Sequence, residues 1–237
     1  MATLKKGFER LLAFFDNLLF PDRVRCLCCS RALGEDEQDG LCPACLEALE
    51  AQGARQERLD ALDSEPLPPG LSYVSAAFPY EGQARELILR LKFGGVRAAA
   101  TPLVRAMSRL PGGEEELVVP IPTTKRRLAE RGFNQAALLG KGLGELLGMP
   151  YADALSREDD RTQQSKLSAE ERRRNLAGCM RASGAVKGKR VLLVDDVYTT
   201  GSTAAEACRA LLEAGATGVG MFVAAKSAAR NASQTGE

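Results

Sequence analysis

The chain contains no histidine. That absence removes the commonest general base, any triad built on imidazole and every histidine-containing metal site. Surplus charge is also lacking: 32 Lys and Arg against 31 Asp and Glu leave a formal net charge of +1. No broad basic face is implied, so contact with nucleic acid would have to use local patches. The longest apolar stretches fall well short of the roughly 20 residues of a membrane span. No G-x-x-x-x-G-K-[ST] loop is present; its nearest imitation, Gly184 to Arg190, has too few residues between its glycines and an arginine after the lysine. Gly142 and Gly144 do not complete a dinucleotide fingerprint, because Leu147 stands where the third glycine belongs. There is no signal-peptide pattern either. Together with seven cysteines, this points to a reducing compartment, the cytoplasm, with thiols used for metal rather than disulfides.

What is present centres on Val191 to Thr203, VLLVDDVYTTGST. Val191 to Val194 is a short unbroken apolar run of the kind that fits a strand buried on both faces of a parallel sheet. The strand is expected to end on Asp195 and Asp196. A turn of small hydroxyl residues with one glycine follows (Thr199, Thr200, Gly201, Ser202, Thr203), then a helical amphipathic stretch through Leu212. In an open parallel sheet, ligands sit beyond the carboxyl ends of the strands, where the next helix offers unpaired N–H groups. A phosphate would lie in the turn, where Gly201 allows close approach and positive φ. The two carboxylates repel a bare phosphate, so they are expected to accept from sugar hydroxyls or to lie near Mg²⁺. A ribose 5-phosphate carrying Mg²⁺ meets all three demands. A strand ending in two acids also occurs beside P-loops, but the loop that reading needs is missing.

Toward the N-terminus, Leu4 to Phe20 has apolar residues at helical spacing, suited to packing on its own domain or a partner, or to lying on a membrane surface. Cys26 with Cys29 and Cys42 with Cys45 form two C-x-x-C pairs twelve residues apart. Two such knuckles complete a tetrahedral four-sulfur site, the geometry Zn²⁺ accepts most readily, and four protein ligands make the metal structural. An iron–sulfur cluster or a redox dithiol uses the same residues, and Cys28 is an extra thiol able to replace a neighbour. Leu46 to Leu62 reads as helix-forming, and Ser64 to Gly70 reads as a linker. The spans expected are 1–65 for the N-terminal helix and Cys₄ module, 70–228 for the main domain and 229–237 for a flexible tail.

In that main domain, Leu71 to Tyr80 carries β-formers and Glu86 to Phe93 reads as a helix ending at Gly94 and Gly95, with Lys92 either complementing its dipole or contacting phosphate. Leu117 to Pro122 is a second strand candidate. Lys125, Arg126, Arg127 and Arg131 crowd its exit, placed for a pyrophosphate if the strand is parallel to that of Val191, although some of them belong on a solvated helix face. Gln135 to Leu147 continues as an amphipathic helix. Ser156 to Ala177 loses apolar periodicity, as a surface loop or a cover that orders on ligand binding would. Cys179 and Cys208 read as core thiols, and Val219 to Ala225 as a last strand.

The Val191 to Thr203 stretch resembles the signature of type I phosphoribosyltransferases, which bind 5-phosphoribosyl-1-pyrophosphate (PRPP). With the four cysteines, Tyr80-Glu81-Gly82, Leu91-Lys92-Phe93, Val119-Pro120-Ile121-Pro122, Arg131-Gly132-Phe133-Asn134-Gln135, Gln164 with Leu167, and Arg172 with Asn175, the chain resembles the ComF family of competence-associated, GntX-related proteins. Arg161 and Met180 depart from residues frequent in that family, threonine and phenylalanine. The resemblance implies an α/β fold, a type I phosphoribosyltransferase-like parallel sheet flanked by helices and preceded by a zinc module. It implies PRPP as ligand, with Asp195 and Asp196 on the ribose hydroxyls, Thr199, Thr200, Gly201, Ser202 and Thr203 on the 5-phosphate, and Arg131, Lys125 and Arg126 at the pyrophosphate. Transfer to a nitrogen acceptor with loss of pyrophosphate is one expectation, and it names no acceptor. The other is a non-catalytic competence protein that handles single-stranded DNA or acts as an adaptor for other competence proteins. The zinc segment carries Arg23, Arg25 and Arg31 but no aromatic between its cysteines, so base stacking there is unsupported. A homo-oligomer is left open.

Overall fold

The structure is a computed structural model, and it describes residues 25–34, 37–53, 57–60, 67–158 and 178–227. The expected N-terminal helix (4–20), most of the polar stretch (159–177) with Gln164, Leu167, Arg172 and Asn175, much of the linker, and the tail all lie outside the described residues.

A five-stranded sheet runs in the order β1-β2-β7-β6-β3. Its strands are β1 (Glu57–Asp60), β2 (Leu71–Pro79), β3 (Leu117–Pro120), β6 (Arg190–Tyr198) and β7 (Gly218–Lys226). β2, β7, β6 and β3 are mutually parallel, and only β1 is antiparallel. The region of β1 reads as helix-forming in the sequence, but the helix that precedes it, α1 (Pro43–Gly53), stops at its glycine and the chain adds an edge strand.

Because β6 is covered on both sides, its apolar run alternates between two cores. Leu192 and Val194 face α2 (Gly82–Phe93), α3 (Ala100–Met107) and α5 (Gln135–Leu147), through Leu87, Leu103 and Leu139. Val191 and Leu193 face α6 (Ser202–Glu213), through Ala207 and Leu211. The short ribbon of β4 (Leu155–Arg157) and β5 (Met180–Ala182) belongs to this second side. Glu206 of α6 ties it down, accepting from Met180 N at 3.0 Å while Arg209 holds both the Glu206 carboxylate and the Met180 carbonyl. Cys208 is fully buried as expected, whereas Cys179 is only partly so.

The cysteine segment packs into the first core. Leu27, Leu41 and Leu49 share one cluster with Leu87, Ile88 and Leu91 of α2. Polar contacts fasten the seam: Gln52 Nε2 donates to Glu81 O, Gln52 Oε1 accepts from Ala84 N, and Arg90 donates to Cys28 O at 3.1 Å. Arg105 pairs with Asp39 at 2.7 Å.

Candidate functional site

A cleft of about 420 Å³ lies at the carboxyl ends of β2, β3 and β6. The pairing of the strands explains why it opens there. β3 runs parallel to β6 as far as Pro120 beside Val194, and Ile121 N makes the last bond to Val194 O. Pro122 has no N–H to continue the ladder. β6 itself goes on to Tyr198, paired among the described residues only with β7. The two acids therefore sit within the last part of the strand rather than after it, next to an unpaired edge.

Asp195 and Asp196 both line the cleft. Asp195 Oδ1 accepts from Asp196 N at 2.8 Å, and Asp196 Oδ1 pairs with Lys92 Nζ at 2.9 Å. Burial, then repulsion from Asp196, push the Asp195 carboxyl up to about 7, against the pull of its backbone N–H and of Lys92 and Arg127. A cation or a hydroxyl donor placed here would relieve that cost. The two carboxylates are thus a chemically suitable set for Mg²⁺ or for sugar hydroxyls.

Thr199 and Thr203 line the same cleft. Thr200 Oγ1 and Ser202 Oγ lie 3.0 Å apart at the start of α6. Gly201 caps that helix at φ 73° with no side-chain cap, so the first-turn N–H groups keep their capacity to donate. A Cβ on Gly201 would lie 2.5 Å from Tyr198 Oη, so glycine is required here by space as well as by conformation.

The cations after β3 fall on a short helix, α4 (Lys125–Arg131), capped by the Thr124 hydroxyl. Arg127 and Arg131 face the cleft; Lys125 and Arg126 are not among its lining residues, and Arg126 pairs with Glu130 at 3.1 Å. Burial and the neighbouring Arg127 lower the Arg131 guanidinium. Helix phase separates the arginines: Arg127 and Arg131 share one face, and Arg126 shares another with Glu130. Lys92, Tyr80, Asn134, Gln135 and Arg157 complete the walls. Asn134 caps α5 through Ala136 N and donates to Ile121 O, fixing the entry to that helix. Gln135 is 3% exposed, and its Nε2 has no partner among the described residues. A buried amide donor facing a cleft is a ready contact for a ligand oxygen.

The sulfurs of Cys26, Cys29, Cys42 and Cys45 all lie within 4.8 Å of one another, with Cys29 and Cys42 at 3.7 Å. A tetrahedral Zn²⁺ with bonds of about 2.3 Å needs sulfurs about 3.8 Å apart, so the set fits that ion. Cys28 N and Cys42 N both donate to Cys26 Sγ at 3.4 Å. Burial pushes Cys26 up, but the backbone N–H groups of Cys29, Cys42 and Cys28 outweigh it and bring the thiol down to about 6. Cys28 turns its thiol away toward Gln83 O and is pushed up to about 12, mainly by burial, so it stands outside the cluster. In the same segment Arg31 is paired with Glu37. Among the described residues no helix is long and apolar enough to cross a membrane.

Sheet and cleft together define a domain of the phosphoribosyltransferase type, and residues 103–235 match the family model described as "Phosphoribosyl transferase domain". The chain is 33% identical over 203 residues to the "DNA utilization protein YhgH" of Escherichia coli K12, covering 82% of this chain and 86% of that protein. It is 30% identical over 220 residues to "Competence protein ComFC" of Streptococcus pneumoniae, covering 90% and 94%. The chain belongs to the ComF family of phosphoribosyltransferase-domain proteins. Among solved structures, the glutamine PRPP amidotransferase of Bacillus subtilis complexed with ADP and GMP aligns at 27% identity and a TM-score of 0.41, over 54% of this chain but only 26% of that one.

Proposed function

We propose that the cleft binds PRPP with Mg²⁺ and that the protein transfers its phosphoribosyl group to a nitrogen acceptor. The observation that carries this reading is one cleft that gathers paired acids, Thr199 and Thr203 from the two ends of the hydroxyl-rich turn, and two arginines from a different strand end. In it the 5-phosphate occupies the Thr199 to Thr203 turn, the ribose hydroxyls donate to Asp195 and Asp196, and the pyrophosphate meets Arg127 and Arg131. Lys125 and Arg126 add longer-range attraction from the outer side of α4. Held beside the two carboxylates, Mg²⁺ would neutralise charge on the leaving pyrophosphate. The acceptor nitrogen forms a bond to C1 as the C1–O bond breaks; pyrophosphate keeps the electron pair and the nitrogen's proton passes to solvent. Carboxylates near the ribose offset the positive charge that develops there, so the chemistry needs no histidine.

Calorimetric titration with PRPP and Mg²⁺, set against ribose 5-phosphate and a nucleoside monophosphate, tests the site. Saturable binding lost in the Asp195→Asn, Asp196→Asn double variant supports it; equal affinity in that variant refutes it. The names of the relatives, DNA utilization and competence, support a second reading, which we take as a protein that handles single-stranded DNA without catalysis. Salt-dependent binding to a single-stranded oligonucleotide, with no pyrophosphate released from PRPP by any nitrogenous base, would favour that reading.

A further inference from the structure

A groove of about 540 Å³ lies between the cysteine segment and the sheet domain and shares no lining residue with the cleft. Two helices form its walls. α1 supplies Leu46, Leu49 and Glu50, while α3 and the turn after it supply Pro102, Arg105, Ala106 and Arg109; Phe78 of β2 joins them. Each helix contributes residues three and four apart, so each presents one continuous face. A gap between two such faces is shaped for a third helix. Leu46 and Ala106 are only partly buried. The apolar lining is bordered by charge: Arg105 and Arg109 on the α3 side, Asp39 and Glu50 on the other. Arg105 reaches Asp39 at 2.7 Å and ties the two walls together.

We propose that this groove is the docking site of the chain's own N-terminal segment, residues 4–20, laid as an amphipathic helix between α1 and α3. The segment carries nine Leu and Phe residues. The stretches 54–56 and 61–66, which also lie outside the described residues, together hold one, Leu62. Reach is sufficient. The sulfurs of Cys26 and Cys45 lie within 4.8 Å of each other, and Leu46, next to Cys45, already lines the groove. The five residues 21–25 that join the segment to Cys26 extend over at most about 17 Å. At about 100° per residue, Leu4, Phe8, Leu11, Phe15 and Leu18 fall within one narrow arc. Glu9 and Asp16 then lie along one border of that apolar stripe, and Lys6 and Arg10 along the other; Lys5 is the one charge out of place. The division matches the groove, with acids toward Arg109 and cations toward Glu50, and it sets the direction in which the segment lies. A helix lying on an anionic membrane would gain nothing from its acidic border. A small polar ligand would leave the apolar walls unmatched.

The chain has no tryptophan, so Phe15→Trp puts a lone fluorophore at the centre of the apolar stripe. The full-length, zinc-loaded variant is measured by its emission maximum and by acrylamide quenching, alone and combined with Ala106→Glu or Leu46→Glu, each of which puts a carboxylate on the groove's apolar wall. The expected result is a blue-shifted, weakly quenched tryptophan, independent of protein concentration. Both groove variants, and Leu11→Asp in the segment itself, should shift the emission to the red and open the indole to the quencher. A benzophenone side chain at position 15 of an otherwise wild-type chain should, on irradiation, form adducts with peptides 43–53 or 100–109, a result that does not depend on how the groove variants fold. A tryptophan exposed in the parent, an emission that the groove variants leave unchanged, or adducts confined to other peptides would overturn the proposal. So would burial seen only with phosphatidylglycerol vesicles, which assigns the segment to a membrane, or burial that grows with protein concentration, which assigns it to a second copy.

Discussion

Replacing Asp195 with asparagine should stabilise the ligand-free protein while removing its ligand. In the fold the carboxyl is pushed from 3.8 to about 7. A group raised in this way contributes fully to stability below about pH 4, and the contribution is lost as pH climbs to about 7. That rise corresponds to a ceiling of about 4 kcal/mol. Asp195 is only partly buried and shares the repulsion with Asp196, so about 2 kcal/mol is a fairer figure for a surface still touched by water. Asparagine is neutral throughout and its Oδ1 can still accept from Asp196 N. In Mg²⁺-free buffer at pH 8 the variant should therefore melt about 4 to 8 °C above wild type, and the gap should narrow as pH falls below about 7 and close near about pH 4. Adding Mg²⁺ and PRPP should raise the melting temperature of wild type at pH 8 and leave the variant unmoved. A variant less stable than wild type at pH 8, or a gap that ignores pH, would refute the argument that burial and Asp196 strain this carboxylate.

Gln135→Met replaces an unpartnered buried amide with an apolar side chain of similar length; scanning calorimetry should show equal or higher stability, and PRPP affinity should fall about tenfold. Undiminished affinity would mean that no ligand oxygen uses the Gln135 amide. Gly201→Ala should cost about 1 to 3 kcal/mol from its positive φ and its collision with Tyr198, with PRPP binding weakened at least tenfold; a variant that melts and binds like wild type would show that the turn is free to rearrange. Cys42→Ser should release zinc, measured colorimetrically, and lower the main thermal transition of the whole chain. Zinc loss with that transition unchanged would mean the cysteine segment folds apart from the sheet.

Much of the site is legible because it is local. Val191 to Thr203 carries strand, acids, turn and helix start in one run, and its order alone places them at a strand's carboxyl end. Where β6 ends is not local: it runs past its acids because β7 continues beside it while Pro122, after β3, stops that partner. The division of the α4 cations follows from four-residue spacing, readable once the stretch is taken as helical; Lys125 and Arg126 are thereby parted from Arg127 and Arg131. Spacing alone does not separate dipole and ligand roles for Lys92, since its partner Asp196 is more than a hundred residues away in the chain. Gln135 gave no sign of being buried, as the first residue of a helix can face either way. The helical character of Leu46 to Leu62 is cut short at Gly53 by pairing of residues 57–60 with β2, a contact that composition does not encode.

The seam between the cysteine segment and α2 has a consequence for how metal supply bears on the cleft. Gln52 holds one end of α2, and Arg90, tied to Cys28 O and Ser30, lies two residues from Lys92 at the other. The helix, about 18 Å long at 1.5 Å per residue, is thus strung between the four sulfurs and the acids. A detachable accessory could be lost in zinc-poor cells at little expense to the rest. Here loss of the metal that the four cysteines could hold would slacken the rod that carries Lys92 and Phe93, so it would reach the cleft as well as the cluster.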